Sequence, residues 1–261
     1  MNLFLKPRKK TNEISHMVEI DESLLDSVRT FTENLVLPDR DGRIRIRMAA
    51  KGNHGNRRRS GERSVYYLLV FADGGERNYL NAGYAVGQMA MFLRFRGIEA
   101  SVLHSLPEWM EKESYEGMKC VAAVAFGMAV RKQHRSGTSH EDKSCVCSNR
   151  KENWYDQVLS YSKKCYPAGV RAVKAVQSDN EVHFLVKTSS SKKAAVYEFE
   201  AGVAIASFME AAEELWIDLE LVRIPQYSQS AMRGAQYLVS ARTEQSRRSS
   251  VLAPARTMIT A

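Results

Sequence analysis

Long apolar segments are absent from this sequence of 261 residues. No run of about 18 uninterrupted apolar residues occurs, the length that a helix needs to cross a bilayer. The first ten residues place only a small apolar patch before their charges, whereas a secretory signal has the opposite order and a longer apolar region. Cysteine is scarce, with four residues, which suits a compartment that keeps thiols reduced. These absences predict a cytoplasmic protein that does not contact a membrane.

Several chemical motifs are missing as well. The sequence has no glycine-rich phosphate loop of the Walker or dinucleotide type and no Gly-x-Ser-x-Gly nucleophile elbow. The one group with zinc-like residues consists of His134, His140, Cys145 and Cys147. A single residue between the two cysteines is a poor metal clip, because structural zinc sites usually separate them by two to four. We therefore expect neither a metal site nor a catalytic side chain that acts as a nucleophile.

Positive charge is concentrated rather than spread. The net charge is +8, from 38 basic and 30 acidic residues. The excess lies in four clusters: Lys6–Lys10, Arg57–Arg59, Arg131–Arg135 and Arg247–Arg248. Basic clusters can indicate nucleic acid, a membrane surface or a phosphate-bearing ligand. Few aromatic residues accompany them, whereas proteins that bind single strands interleave the two, so nucleic acid is the disfavoured partner.

Two stretches of the chain resemble each other at an offset of 119 residues. Asn81–Ala85 and Glu200–Ala204 share an Ala-Gly pair at the start of an apolar helical pattern. Farther on, Ile98–Val102 and Ile217–Leu221 keep the same offset and alternate as half-buried strands do. The match of a helix and a strand at one offset predicts an internal repeat. We expect Gly83 and Gly202 to lie where a helix packs closely against another backbone, because glycine permits close approach.

The remaining elements extend this repeat. Amphipathic helices at Leu24–Val28 and Trp154–Val158 match at an offset of 130. Further strands are predicted at Val65–Phe71, Cys120–Phe126, Val182–Lys187 and Ala235–Ala241. Each half thus follows the order helix, strand, helix, strand, strand, which predicts an α+β fold of two similar halves. Trp109, Trp154 and Trp216 fall at apolar helix positions and are predicted to lie in the core.

The expected domain boundaries follow from the same pattern. Residues 1–135 form the first half, 136–150 a linker rich in Ser, Lys and Glu, 151–245 the second half and 246–261 a flexible tail. Neither half alone would have a large core, but two stacked halves would.

Residues 6 to 241 resemble the nitroreductase family, in the subfamily that carries both halves of the usual dimer in one polypeptide. The resemblance depends on the element order, the two Ala-Gly helix starts, and Ala125-Phe126-Gly127 ending a strand before basic residues. It implies an intramolecular pseudo-dimer, monomeric in solution, that holds flavin mononucleotide (FMN) between its halves. It also implies a nicotinamide donor, NADH or NADPH, and a nitro or quinone-type acceptor.

The resemblance also assigns cofactor-binding residues. A basic motif on the flavin phosphate matches Arg8, Lys9, Lys10 and Asn12, and cations after the second strand match Arg131, Lys132 and Arg135. A turn under the flavin ring matches Pro167, Ala168, Gly169 and Arg171, and the edge of the ring near N5 matches His104 and Ser105.

Four of these positions depart from the family pattern. Lys10 stands in place of a hydroxyl residue, Asn12 in place of an arginine, Ala168 in place of a serine and Arg171 in place of an amide. A second hypothesis therefore stays open: a non-catalytic member of the fold that binds another phosphate-bearing ligand.

Overall fold

The computed structural model describes residues 17–18, 20–40, 42–50, 66–75, 77–103, 106–129, 153–165, 173–178, 181–187, 191–224, 227 and 235–243. The first half contains β1 (Met17–Val18), α1 (Glu22–Glu33), β2 (Ile44–Ala50), β3 (Tyr66–Ala72), α2 (Asn78–Phe95), β4 (Glu99–Leu103), α3 (Glu108–Glu111), β5 (Ser114–Tyr115) and β6 (Met118–Ala129). The second contains α4 (Trp154–Cys165), β7 (Val173–Ser178), β8 (Glu181–Lys187), α5 (Ser191–Glu214), β9 (Leu219–Val222) and β10 (Ala235–Thr243). None of these helices combines the length and the apolar character that spanning a bilayer requires.

The strands form two sheets with the same connectivity. The long strands of the first sheet lie in the order β2–β3–β6–β4, and those of the second in the order β7–β8–β10–β9. Every neighbouring pair is antiparallel. The mixed helix and sheet architecture expected from the sequence is confirmed.

Both sheets contain a β-bulge at the same place. The register of β3 against β6 shifts between Val70 and Phe71, which leaves Val121 without an opposing residue. The register of β10 against β8 shifts between Tyr237 and Val239, which leaves Leu238 in the same situation. An extra residue in a strand bends it and increases its twist, so the two sheets curve at matching points.

The predicted order of elements was incomplete. Each half has two strands between its first helix and its central helix rather than one, because β2 and β7 form antiparallel pairs with β3 and β8. The first half also contains β1, α3 and β5, which were absent from the predicted order. Strands β2 and β7 lie at sheet edges and bury few residues, and Arg45 and Arg47 give β2 a polar composition. In the second half, β7 begins at Val173, two residues after Arg171, the last residue that the resemblance assigns to the turn under the flavin ring.

The two central helices α2 and α5 pack directly against each other. Thirteen of the 18 residues of α2 are buried, as expected for a helix that is enclosed on all sides. A side chain on Gly83 would overlap the carbonyl group of Phe199, and one on Gly202 would overlap that of Leu80. The two contacts are reciprocal, since Leu80 and Phe199 are themselves 119 residues apart. The predicted close approach of a backbone at both glycines is confirmed.

The two helices also end in the same way. The Ile98 amide donates to the Leu93 carbonyl (2.9 Å), and the Ile217 amide donates to the Ala212 carbonyl (2.8 Å). The residue before each amide has a left-handed backbone, Gly97 with φ 74° and Trp216 with φ 58°. This arrangement is the Schellman helix end, in which glycine is the usual residue. A non-glycine residue in that conformation costs about 1–2 kcal/mol.

Candidate functional site

All the cofactor-binding residues predicted from the resemblance lie outside the described residues. These are Arg8, Lys9, Lys10, Asn12, His104, Ser105, Arg131, Lys132, Arg135, Pro167, Ala168, Gly169 and Arg171. The four residues considered for zinc, His134, His140, Cys145 and Cys147, lie outside as well. Within the described part of the chain, no group of three or more histidine, cysteine or acidic side chains could hold a metal ion.

A groove of about 500 Å³ lies between the halves. The first half contributes the segment after α1 and a tyrosine of α2, and the second half contributes α5, β9 and β10. The lining residues are Val36, Leu37, Pro38, Arg40, Tyr84, Met209, Asp218, Leu219, Glu220, Leu221, Arg242 and Thr243. A concave site of this volume is within the usual range for a small-molecule ligand.

Pro38 precedes its edge strand in the sequence by the same number of residues as Pro167 does. Ile44 and Val173 begin the matching edge strands β2 and β7, and a proline precedes each of them by six residues. A turn was predicted only at Pro167, and the turn that follows Pro38 was missed. The shared spacing from proline to strand was the signal that would have identified it.

Asp39, directly after Pro38, connects the halves through a buried ion cluster. Its backbone amide donates to Asn81 Oδ1 (3.1 Å), and Asn81 Nδ2 donates to the Asp39 carbonyl (2.7 Å). Its carboxylate oxygen lies 3.5 Å from Nη1 of Arg77 and 3.5 Å from Nη1 of Arg223. Asp39 is only 6% exposed. The turn is thereby attached to α2 of its own half and to the end of β9 in the other half.

The two arginines of this cluster differ in their surroundings. Arg223 directly follows β9, as His104 follows β4, and its side chain is 40% exposed. The Arg77 side chain is 8% exposed, and its residue has a left-handed backbone with φ 68°. Arg77 Nε is buried and has no hydrogen-bond partner among the described residues. Arg77 therefore depends on Asp39 for charge compensation.

A second buried polar group lies on the face of the second sheet opposite α5. His183 Nδ1 is 2.8 Å from Ser240 Oγ, which is 2.8 Å from the Tyr237 hydroxyl. That hydroxyl also donates to the Val222 carbonyl (3.3 Å) and accepts from the Ile224 amide (3.1 Å). Every member therefore has a partner, which makes burial of the group tolerable.

The matching face of the first sheet is apolar. At the same distance from the bulge in each sheet, Leu69 faces Ala123 in the first sheet and His183 faces Ser240 in the second. Leu69 belongs to an apolar cluster with Phe71, Met110, Met118 and Cys120. No sequence pattern marks this polar group, because His183 and Ser240 are 57 residues apart in the chain.

Acid should destabilise the protein through His183. Burial lowers the pKa of His183, so the unfolded chain binds a proton there more readily than the folded protein does. The free energy of unfolding should therefore fall as the pH drops below about 6.5, the ordinary pKa of histidine, by at most about 1.4 kcal/mol per pH unit. Urea unfolding across this range measures the slope.

The control for this prediction is the double variant His183→Leu with Ser240→Ala, which copies Leu69 and Ala123. It should have a smaller slope below pH 6.5 than the unchanged protein. An identical slope in both proteins would show that His183 does not contribute.

The structure also places the tryptophans and a cysteine. The prediction that Trp216 lies in the core was wrong: it is 96% exposed, because α5 ends at Glu214 and the chain turns away. The prediction was wrong for Trp109 as well, which is 39% exposed, whereas Trp154 is half-buried. Burial raises the pKa of the Cys120 thiol to about 11, so this cysteine is not a nucleophile at neutral pH.

Comparisons with known proteins give a limited result. No family model matches the sequence, and no curated protein matches it significantly. One similar solved structure is the crystal structure of a candidate nitroreductase from Thermotoga maritima. The two chains are 12% identical with a TM-score of 0.46, over 93% of this chain and 94% of that one.

Proposed function

We propose that the chain is an intramolecular pseudo-dimer of the nitroreductase type. The matching strand order, the bulge at the same place in both sheets and the reciprocal contacts of Gly83 and Gly202 support this proposal. Contacts across a two-fold symmetric interface occur in pairs. If one residue contacts a second residue in the other half, the counterparts of these two residues contact each other as well. The contacts at the crossing of α2 and α5 have this property.

We further propose that FMN binds between the halves and that the protein is an FMN-dependent NAD(P)H oxidoreductase. The observation that carries this proposal is the groove built by both halves, in which the Pro38 turn of one half lies against β9 and β10 of the other. The chemistry of electron transfer to a nitro or quinone-type acceptor would come from the flavin itself. We also propose that the protein acts as a monomer in the cytoplasm.

The residues of the groove fit such a ligand. Leu37, Pro38 and Met209 offer apolar surface to a planar ring and exclude water from it. Arg40 is exposed and makes no ion pair with a described residue, so it can attract a phosphate group. Arg242 is less available, because its Nε donates to Glu181 Oε1 (2.7 Å).

The experiment compares FMN with riboflavin, which lacks the phosphate. A ligand that binds only the folded protein raises its stability, so FMN should raise the melting temperature much more than riboflavin does. Charge-assisted contacts contribute roughly 1.5–3 kcal/mol each, so Arg40→Ala should weaken FMN binding about tenfold or more. Equal stabilisation by both compounds, or by neither, would contradict the proposal.

A matched variant separates the two sides of the pseudo-dimer. The resemblance assigns Arg8 to the flavin phosphate and Pro167 to the turn under the flavin ring, and neither lines the Pro38 groove. Loss of binding in Arg8→Ala alone would assign FMN to that site, and loss in Arg40→Ala alone would assign it to the Pro38 groove.

One observation favours the alternative, a non-catalytic protein that binds another phosphate-bearing ligand. The family has a hydroxyl residue after the proline of the turn, whereas this chain has Asp39 in one half and Ala168 in the other. Neither half therefore offers the hydroxyl that the family presents under the flavin ring. Stabilisation by inorganic phosphate but not by FMN would support this alternative.

A further inference from the structure

The exposed indole of Trp216 is not explained by the fold. Trp216 is 96% exposed and has a left-handed backbone, a conformation that disfavours any residue except glycine. The other half forms the same helix end with Gly97. Scattered exposed apolar residues are common, but here a strained conformation accompanies nearly full exposure of the largest side chain. A role of Trp216 in binding, rather than in folding, accounts for both the strained backbone and the exposed side chain.

Trp216 lines a groove of about 410 Å³ at the end of α5. The other lining residues are Tyr84, Gln88, Met209, Glu213, Ile217, Asp218 and Leu219. Four of them, Tyr84, Met209, Asp218 and Leu219, also line the groove between the halves. The indole therefore lies beside an apolar floor that continues into the larger groove.

The charge of this groove is negative. Glu213 and Asp218 line it, and no lysine, arginine or histidine among the described residues does so. Burial and the nearby Glu213 and Glu214 raise the pKa of Glu210. Burial, with Glu210 and Glu213, raises the pKa of the Tyr84 hydroxyl to about 12. Two carboxylates beside one apolar groove, without a described basic residue to balance them, favour a cationic ligand.

We propose that Trp216 and this groove form a binding site for a planar aromatic cation. One face of the ligand stacks on the indole, and Glu213 and Asp218 balance its charge. Indole is the side chain best suited to this role, since it attracts a cation to its face. The site goes beyond the FMN proposal and does not depend on it, because neither Trp216 nor Glu213 lines the groove between the halves.

The test uses proflavine, a planar tricyclic cation at neutral pH, and acridine, which has the same ring system without the charge at slightly basic pH. Fluorescence anisotropy of each dye is measured against the protein without added flavin. Proflavine should bind several-fold more tightly than acridine, and added salt should reduce that difference.

Trp216→Gly is the decisive variant. It should fold with an unchanged or higher melting temperature, because glycine occupies the matching position in the other half. It should bind proflavine about tenfold more weakly or worse, since stacking is lost. Trp216→Phe should stay within a few-fold of the unchanged protein, and Trp109→Phe, at another partly exposed tryptophan, should have no effect.

Two results would overturn the proposal. One is proflavine binding of equal strength in the unchanged protein and in Trp216→Gly. The other is the absence of proflavine binding by the unchanged protein. Neither depends on whether FMN stabilises the protein, so failure of this proposal and failure of the FMN proposal are distinguishable.

Discussion

Gly202→Ala is expected to destabilise the protein by about 3 kcal/mol or more, at or above the usual upper range for overpacking. A Cβ at this position would overlap the Leu80 carbonyl and lie 2.5 Å from the Tyr84 amide nitrogen and 2.9 Å from the Gly83 carbonyl carbon. These are backbone atoms, so no side chain can rotate away and the helices must separate. Alanine has a higher helix propensity than glycine by about 1 kcal/mol, so helix propensity alone would stabilise the variant and cannot account for the expected loss.

Thermal or urea unfolding measures this effect, and Gly74→Ala is the matched control. An added Cβ on Gly74 meets no atom within 4 Å, so its stability should change by less than about 0.5 kcal/mol. Gly83→Ala should behave as Gly202→Ala does, because its Cβ would overlap the Phe199 carbonyl. The two changes separate the same pair of helices, so the double variant should lose less than the sum of the single losses. A Gly202→Ala protein as stable as Gly74→Ala would contradict the helix crossing.

Asp39→Ala is expected to cost about 3–5 kcal/mol, the usual range when one partner of a buried ion pair is removed. The reason is the charge left behind: the Arg77 side chain is only 8% exposed, and its Nε already lacks a partner among the described residues. Arg223 loses the same partner but is 40% exposed, so water can solvate it. Most of the loss should therefore come from Arg77.

Glu116→Ala provides the comparison for this prediction. Glu116 pairs with Arg45 at 3.0 Å, but both side chains are about half exposed, and exposed pairs contribute about 0–1 kcal/mol. Urea unfolding at neutral pH should therefore separate the two variants clearly. The variant Asp39→Ala with Arg77→Met removes the uncompensated charge and should recover part of the stability. A loss in Asp39→Ala no larger than in Glu116→Ala would show that the cluster does not stabilise the protein.

The sequence predicted those strands whose side chains are buried on one or both faces of a sheet. Tyr66–Ala72, Glu181–Lys187 and Ala235–Thr243 are strands within two residues of their predicted bounds, because buried strands are rich in apolar residues. The close approach at Gly83 and Gly202 followed from the Ala-Gly pairs.

The features that the sequence did not predict depend on long-range contacts. The edge strands β2 and β7 are half-exposed, so their residues do not show a buried pattern. Asp39 is one polar residue in a loop until the fold brings Arg77 and Arg223 to it, 38 and 184 residues further along the chain. Trp216 was misplaced because an apolar residue at helical spacing was assumed to continue a helix that has already ended.

The common bulge of the two sheets makes it possible to match the halves position by position. In a protein made of two identical subunits, any substitution appears twice, so both copies of a site change together. Here each half can change alone: one sheet has a leucine and an alanine where the other has a hydrogen-bonded histidine and serine, and one helix ends in glycine where the other ends in tryptophan. A single chain can thus keep one copy of a position for stability and use the other for a ligand, an option closed to a symmetric pair.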